Sequence, residues 1–457
     1  MDTIAPAQEP PTYEQDLLAY LAAGRSPFHA ATETARRLED AGFAELDERA
    51  AWHLVARGRY YVRRNDSSLI AFVLPGDGGS VGGAGTEAGA GAGAGRMADH
   101  LAERGLRMAG AHTDSPSLRL KPNPVLTGRG YTRLGLEVYG GVLLNPWFDR
   151  DLSLAGRVHV RMGDGTLRGL LLDFDRPLAF IPSLAIHLDR EVNQKRSINP
   201  QTDIPALLGR GEVDLKALLL RELQARDPAL VGTTGIAEVL DWELCLYDCQ
   251  APRVVGIDGE FIAAARLDNL LSCHAATQAI IDAPAGAAAL VVLNDHEEVG
   301  STTADGAQGP FLEQVLARLL PDVEGRARCI AASIFVSADN AHGIHPNYPD
   351  RHDDRHGPLL NAGPVLKVNA NQRYASTSET QAFLRDAAAR AGVELQVFVT
   401  RTDLACGSTI GPLTAARIGV RTVDVGVPQL GMHSIRELCG RNDPHALYRL
   451  LVAVFAG

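Results

Sequence analysis

An α/β fold, with a mixed, largely parallel sheet flanked by helices and interrupted by a β-rich insertion, is predicted by three observations. After about Val255, the apolar runs "AALVVLN", "CIAASIFVS", "ELQVFVT" and "RTVDVGV" alternate with helix-like stretches, as βα units feeding a parallel sheet do. A similar run, "LRMAGA" (Leu106 to Ala111), lies far upstream of them, so the domain is split. Between the two parts, from about Ala111, Gly-punctuated alternating segments such as "GLEVYGGVLL" and "LAGRVHVRMGDGTLRGLLLD" read as an antiparallel module. The predicted division gives residues 1–113 and 256–457 to the α/β domain and 114–255 to the insertion.

The first elements follow from local signals. Apolar spacing predicts a helix from Tyr13 to Ala23, and Ser26 is placed to cap a second one in "SPFHAATETARRLEDAGFAEL". "RYYVRRNDSSLIAFVLP" reads as a hairpin turning at Asn-Asp-Ser. The stretch Gly76 to Gly95 is rich in Gly and Ala; with so few side chains to bury, it is expected to be a mobile loop, and no function is assigned to it.

The composition narrows the function. In 457 residues, hydrophobic types make up 46% and charged types 22%, and no apolar run approaches the roughly 18 residues that span a bilayer. A formal charge of -11, from 55 acidic against 44 basic residues, leaves no footprint for nucleic acid or an anionic membrane. A small molecule or peptide is the expected partner. "MDTIAPAQEPPTYEQ" lacks the basic and apolar regions of a signal peptide, which predicts a cytoplasmic protein. The six Cys, with Cys245 and Cys249 lacking a second pair at zinc-ribbon spacing, are expected to be reduced thiols.

Ligands of open α/β sheets gather at the carboxyl ends of the strands. There the sequence puts His112-Thr113-Asp114 after "LRMAGA", Asp295-His296-Glu297-Glu298 after "AALVVLN", Ala338-Asp339-Asn340 after "CIAASIFVS", and Pro428 to Ser434, with His433, after "RTVDVGV". Asp268, in "RLDNLLSCHAATQAIIDA", falls at or near the start of a helix. Taken singly, Asp268 reads as a helix cap, His112 and His433 as core or loop histidines, Asp339 as a turn residue, and Glu297 and Glu298 as a solvated pair. Gathered at one sheet edge, so many carboxylates and imidazoles would repel and desolvate one another unless a cation neutralised them. Two His and several carboxylates without Cys suit zinc or a similar divalent ion, and the carboxylate excess permits two ions with a shared ligand.

"GAHTDSP", "LDNLLS", "NDHEEVGS", "SADNAHGIHPNY" and "GMHSIRE", in this order, together with "SPFHA", "RNDSSLIAF", "IPSLAIHLDR" and "GSTIGP", closely resemble the aspartyl aminopeptidase family of dinuclear zinc exopeptidases. The resemblance covers nearly the whole chain. It implies two Zn2+ per chain, with Mn2+ or Co2+ also accepted by such ligands. His112 and Asp339 would hold one ion, Glu298 and His433 the other, and Asp268 both. Asp114 would orient His112, and Glu297 would take a proton from the water between the metals. The resemblance further implies that His187, Glu297, Asp339, His342, Lys367 and Tyr374 contact substrate, His187 being supplied to a neighbouring subunit. Lys367 is the one cation among these and the candidate for recognising an acidic side chain.

The implied activity is release of N-terminal Asp or Glu from short peptides, with the inserted β-rich domain serving oligomerisation in a tetrahedral dodecamer. Two departures stand out: the Gly/Ala segment 76–95, and Leu404 and Ala405 in "RTDLACGSTIGP" where small or Pro residues are more usual. Alternative readings are a dinuclear aminopeptidase or amidohydrolase of other specificity, and a catalytically silent shell protein; the intact Glu297 and ligand set argue against silence.

Overall fold

A computed structural model of the chain describes residues 12–76 and 90–457. Its centre is a nine-stranded sheet in the order Ala44–Glu45, Arg59–Arg64, Ser68–Val73, Ala289–Asn294, Arg107–His112, Ile334–Ala338, Arg421–Gly426, Val365–Val368 and Gln396–Val399. The middle four strands, Ala289–Asn294 through Arg421–Gly426, are mutually parallel. Antiparallel pairings flank them on both sides.

These middle strands read as unbroken apolar runs because both faces are covered. Val291 and Leu293 pack into one core with Ala109, Val336 and Val423 under the helices Leu267–Ile281, Ser378–Ala391 and Asp443–Phe455. Leu290 and Val292 pack into the other with Met108 and Phe335, against the helices Phe311–Leu319 and Ile410–Ile418. Successive side chains alternate between faces, and each fully buried Leu or Val stabilises by about 1.5–3 kcal/mol.

The helix Leu267–Ile281, which begins beside Asp268, is tied to the first two helices. The Asp16 carboxylate accepts from His274 Nε2 (2.7 Å), Arg37 Nη1 (2.6 Å) and Gln278 Nε2 (3.0 Å). The predicted Tyr13–Ala23 helix has these bounds, and Ser26 accepts from the His29 amide as the cap of Pro27–Asp40. The hairpin Arg59–Arg64/Ser68–Val73 turns through Asn65 and Asp66, both at positive φ.

A second, six-stranded antiparallel sheet runs Leu167–Asp173, Leu152–Met162, Ile236–Asp248, Ser117–Gly128, Tyr131–Tyr139, Ala206–Arg210. Leu118, Leu154, Val158 and Leu246 form its own core with Leu215, Leu219 and Leu223 of the helix Leu215–Arg226, capped by Asp214. A third, five-stranded sheet joins Arg253–Val255, Phe261–Ala264, Glu437–Gly440, Pro428–Leu430 and Ala341–His342. It knots together the chain that leaves Asp339 and the chain on either side of His433.

Three readings of the sequence are corrected. Residues 90–95 of the expected Gly/Ala loop open the helix Ala90–Arg104, which is anchored further along by buried Met97 and Leu101; residues 77–89 of that loop lie outside the described residues. In "CIAASIFVS" the first four residues end the helix Val323–Ala332, and only Ile334–Ala338 is strand. "GLEVYGGVLL" stops being strand at Tyr139, where Gly140 turns the chain at φ +72°. Among the described residues no helix is long and apolar enough to cross a membrane.

Candidate metal centre

Five side chains from five separate segments meet at the carboxyl edge of the parallel strands. His112 ends one strand and Asp339 follows the next, while Glu298 sits in a short turn, 297–299, after Ala289–Asn294. Asp268 lies at the start of its helix but has non-helical backbone angles, and His433 stands at φ +67° beyond Pro428–Leu430. The two oxygens of Asp268 face opposite ways. Oδ1 is 3.4 Å from His112 Nε2, which is itself 3.7 Å from Asp339 Oδ1. Oδ2 is 3.5 Å from His433 Nε2, itself 3.4 Å from Glu298 Oε2.

These spacings suit two groups of candidate ligands that share one carboxylate. Ligand bonds of about 2.1 Å in tetrahedral geometry set neighbouring ligand atoms about 3.4 Å apart. The triads His112/Asp268/Asp339 and Asp268/Glu298/His433 each bring their ligand atoms within 4.8 Å of one another. Asp268 Oδ1 and Glu298 Oε1 are buried without a hydrogen-bond partner, a costly state for carboxylate oxygens unless a cation receives them. The donor set of two imidazoles and three carboxylates therefore fits two divalent ions.

Both imidazoles are held with Nε2 free. His112 Nδ1 donates to the Asp114 carbonyl at 3.0 Å, and His433 Nδ1 to the Gly141 carbonyl at 3.1 Å. A carbonyl can only accept, so each Nδ1 carries a proton and Nε2 is the atom turned to the cluster, the one a cation would take in place of a proton. Gly426 allows the close approach on which Asp339 depends: the Asp339 amide donates to Val425 at 2.9 Å, and a Cβ on Gly426 would fall 1.9 Å from the Asp339 carbonyl oxygen.

The electrostatics describe a cluster crowded with negative charge. Burial first, then the charges of Asp339, Asp114 and Asp268 against the opposing His112, push the Glu297 carboxyl up to about 8. Burial and Asp268 likewise push Glu298 well above its usual range. Burial works to lower the His112 pKa, but Asp114, Asp268 and Asp339 outweigh it and hold the ring well above its ordinary value. Divalent cations would reverse each of the carboxylate shifts.

Glu297 belongs with His112 and Glu298 in a third close group. Its neighbour Asp114, fully buried, accepts the Glu297 and Glu298 amides at 3.1 Å each and lies 3.4 Å from His112 Nδ1. Lys367 is 2% exposed, 3.6 Å from Asp339 Oδ2 and 3.1 Å from the Asn340 carbonyl, with its ammonium 4.9 Å from the Tyr374 ring centre. His342 is exposed and meets Phe398 edge-on at 5.8 Å. His187 is also exposed and takes part in none of the hydrogen bonds or close groups of the cluster.

Glu437 escapes a sequence reading. Its buried carboxylate accepts the backbone amides of Asp268 (3.0 Å) and His433 (2.7 Å), fixing the shared residue and the histidine of the second triad. Its spacing of four from His433 was the available signal. Burial and Asp268 push this carboxyl up to about 8.

A mixed sheet carrying a His and carboxylate cluster at the carboxyl ends of its parallel strands defines a metal-dependent hydrolase. The family model described as aminopeptidase I zinc metalloprotease (M18) matches residues 20–85 and 97–455, and the chain belongs to that family of zinc aminopeptidases. It is 52% identical over 446 residues to a probable M18 family aminopeptidase 2 of Ectopseudomonas mendocina, covering 97% of both chains. Among solved structures, Ape4 in its complex with Nbr1 matches with a TM-score of 0.88 at 36% identity, over 97% of this chain and 85% of that one. The S. cerevisiae mApe1 dodecamer matches with a TM-score of 0.79 at 28% identity, over 97% and 96%.

Proposed function

We propose that this M18 zinc aminopeptidase holds two zinc ions per chain and releases N-terminal Asp and Glu from short peptides. The observation that carries the two-ion reading is the split of the Asp268 carboxylate, each oxygen within 3.5 Å of a different imidazole. His112 and Asp339 are the remaining ligands of one ion, Glu298 and His433 of the other. When bound, such ions supply Lewis acidity and lower the pKa of water. Glu297, uncommitted to either triad, accepts the proton of the attacking water and returns it to the leaving amine. Asp114 keeps the His112 tautomer fixed and aligns Glu297 through its amide. The division of the chain at 113 and 255 into a split catalytic domain and an inserted oligomerisation domain, and a cytoplasmic setting that keeps all six cysteines as thiols, belong to the same reading. Metal analysis, with a panel of aminoacyl anilides run before and after chelation, tests it: a metal-free active enzyme, or a preference for Leu over Asp, overturns it.

The acidic preference rests on Lys367. A buried ammonium beside a metal ligand, lying over the Tyr374 ring, offers a point charge to a substrate carboxylate; His342 borders the same wall. Removing one partner of a buried charged contact costs about 2–5 kcal/mol. Lys367→Met is therefore expected to lower kcat/KM on Asp- and Glu-anilides by at least about 30-fold more than on Ala-anilide. Comparing substrates on one variant cancels any shared effect through Asp339. Equal losses would move Lys367 out of specificity.

His187 is read as acting in a neighbouring subunit. Its segment exposes Leu184 (60%), Ile186 (46%) and Leu188 (75%), apolar surface that association would cover, and the mApe1 relative is a dodecamer. Mixing inactive His187→Ala chains with inactive Glu297→Gln chains under subunit exchange is expected to regenerate activity. No recovery despite proven exchange would return His187 to an ordinary surface residue.

A further inference from the structure

Asp114 does more than orient one histidine. Oδ1 accepts the Glu297 amide (3.1 Å) and faces His112 Nδ1 (3.4 Å); Oδ2 accepts the Glu298 amide (3.1 Å) and the Tyr139 hydroxyl (2.7 Å). A carboxylate offers about four acceptor positions, and here three take a donor, the His112 Nδ1 proton going to the Asp114 carbonyl instead. The two amides belong to the centre itself. The hydroxyl comes from the end of Tyr131–Tyr139, a strand of the six-stranded sheet.

Tyr139 is built to donate. It is 8% exposed, and the Arg119 guanidinium lies 3.5 Å from its ring centre, which draws electron density from the phenol and strengthens its O–H as a donor. The next residues continue to the other triad. Gly140 turns at φ +72°, where a Cβ would lie 3.1 Å from Glu298 Cβ. Gly141 accepts the His433 Nδ1 proton, and the Leu143 amide donates to the His433 carbonyl at 3.1 Å. One strap of five residues thus reaches a histidine of each triad, one directly and one through Asp114.

We propose that Tyr139 is a positioning residue of the metal centre, fixing through Asp114 both the His112 ring and the backbone of Glu297 and Glu298, so that the six-stranded sheet forms part of the centre's support. The inference rests on the two-ion reading above. What separates this role from that of an ordinary core tyrosine, whose hydroxyl also takes a partner when buried, is the consequence of losing the hydroxyl: ring burial would survive it, whereas the alignment of Asp114 would not.

Tyr139→Phe keeps the ring and removes the donor. Loss of such an outer hydrogen bond is expected to lower kcat about 10- to 100-fold with KM within about twofold of wild type, and to lower the chelator concentration that strips half the zinc by a similar factor. Arg119→Met, which leaves the hydroxyl in place, should shift both readouts in the same direction by less. Unchanged chelator resistance and kcat in Tyr139→Phe, or a raised KM at unchanged kcat, overturns the proposal. Should Tyr139→Phe fail to fold, Arg119→Met decides: reduced zinc retention supports the role and unaltered retention overturns it. A wild-type chain that binds no metal would sink the two-ion reading itself, an outcome visible before any variant is made.

Discussion

Glu297→Gln is expected to lose about 10²- to 10⁴-fold in kcat while keeping its fold, its metal and its KM. The amide has the shape of the carboxylate but cannot accept a proton. Nothing else in the centre can replace it, because Glu298, Asp268 and Asp339 face imidazole nitrogens in the two triads, and the Asp114 oxygens already accept from two backbone amides and the Tyr139 hydroxyl. The backbone of Glu297 is held through its amide by Asp114, so the substitution leaves the turn intact. The measurement is turnover on Asp- and Ala-anilides beside metal content on the same preparation. A near-normal rate with metal bound would remove Glu297 from proton transfer.

The adjacent placement of Glu297 and Glu298 also shows what a sequence can disclose about such a site. Ionisable residues directly after four apolar runs were visible as a pattern, and the parallel pairing of Ala289–Asn294, Arg107–His112, Ile334–Ala338 and Arg421–Gly426 brings those four exits to one edge. Asp268 was less legible. Its position at a helix start suggests capping, yet its side chain faces two imidazoles and Arg266, at φ +59°, precedes the helix without a side-chain cap.

What stayed hidden depends on contacts that carry no local spacing. Tyr139 meets Asp114 across 25 residues, and Glu437 meets the Asp268 amide across 169. The five-stranded sheet is built from strands of two to four residues, too short for any alternation to register. The helix Ala90–Arg104 was missed because Gly and Ala supply no apolar stripe over its first turns; the residues that anchor it, Met97 and Leu101, come later.

Asp268→Ala is expected to remove both ions from each chain, whereas His433→Ala should empty mainly one site. The difference follows from geometry. Without His433, the triad His112/Asp268/Asp339 is intact; without Asp268, each site keeps one imidazole and one carboxylate, since Oδ1 serves one triad and Oδ2 the other. Two protein ligands fall short of the three that catalytic zinc sites retain. The local fold should persist, because the Asp268 amide still donates to Glu437 and its carbonyl still accepts the Ser115 hydroxyl at 2.6 Å. Metal per chain in purified, folded protein, measured for both variants after dialysis against the same trace of zinc, separates the cases. Two ions retained in Asp268→Ala would show that each site is complete without it, and the shared ligand would have to be sought elsewhere in the cluster. Equal loss of both ions from Asp268→Ala and His433→Ala would instead mean that the two sites fill only together.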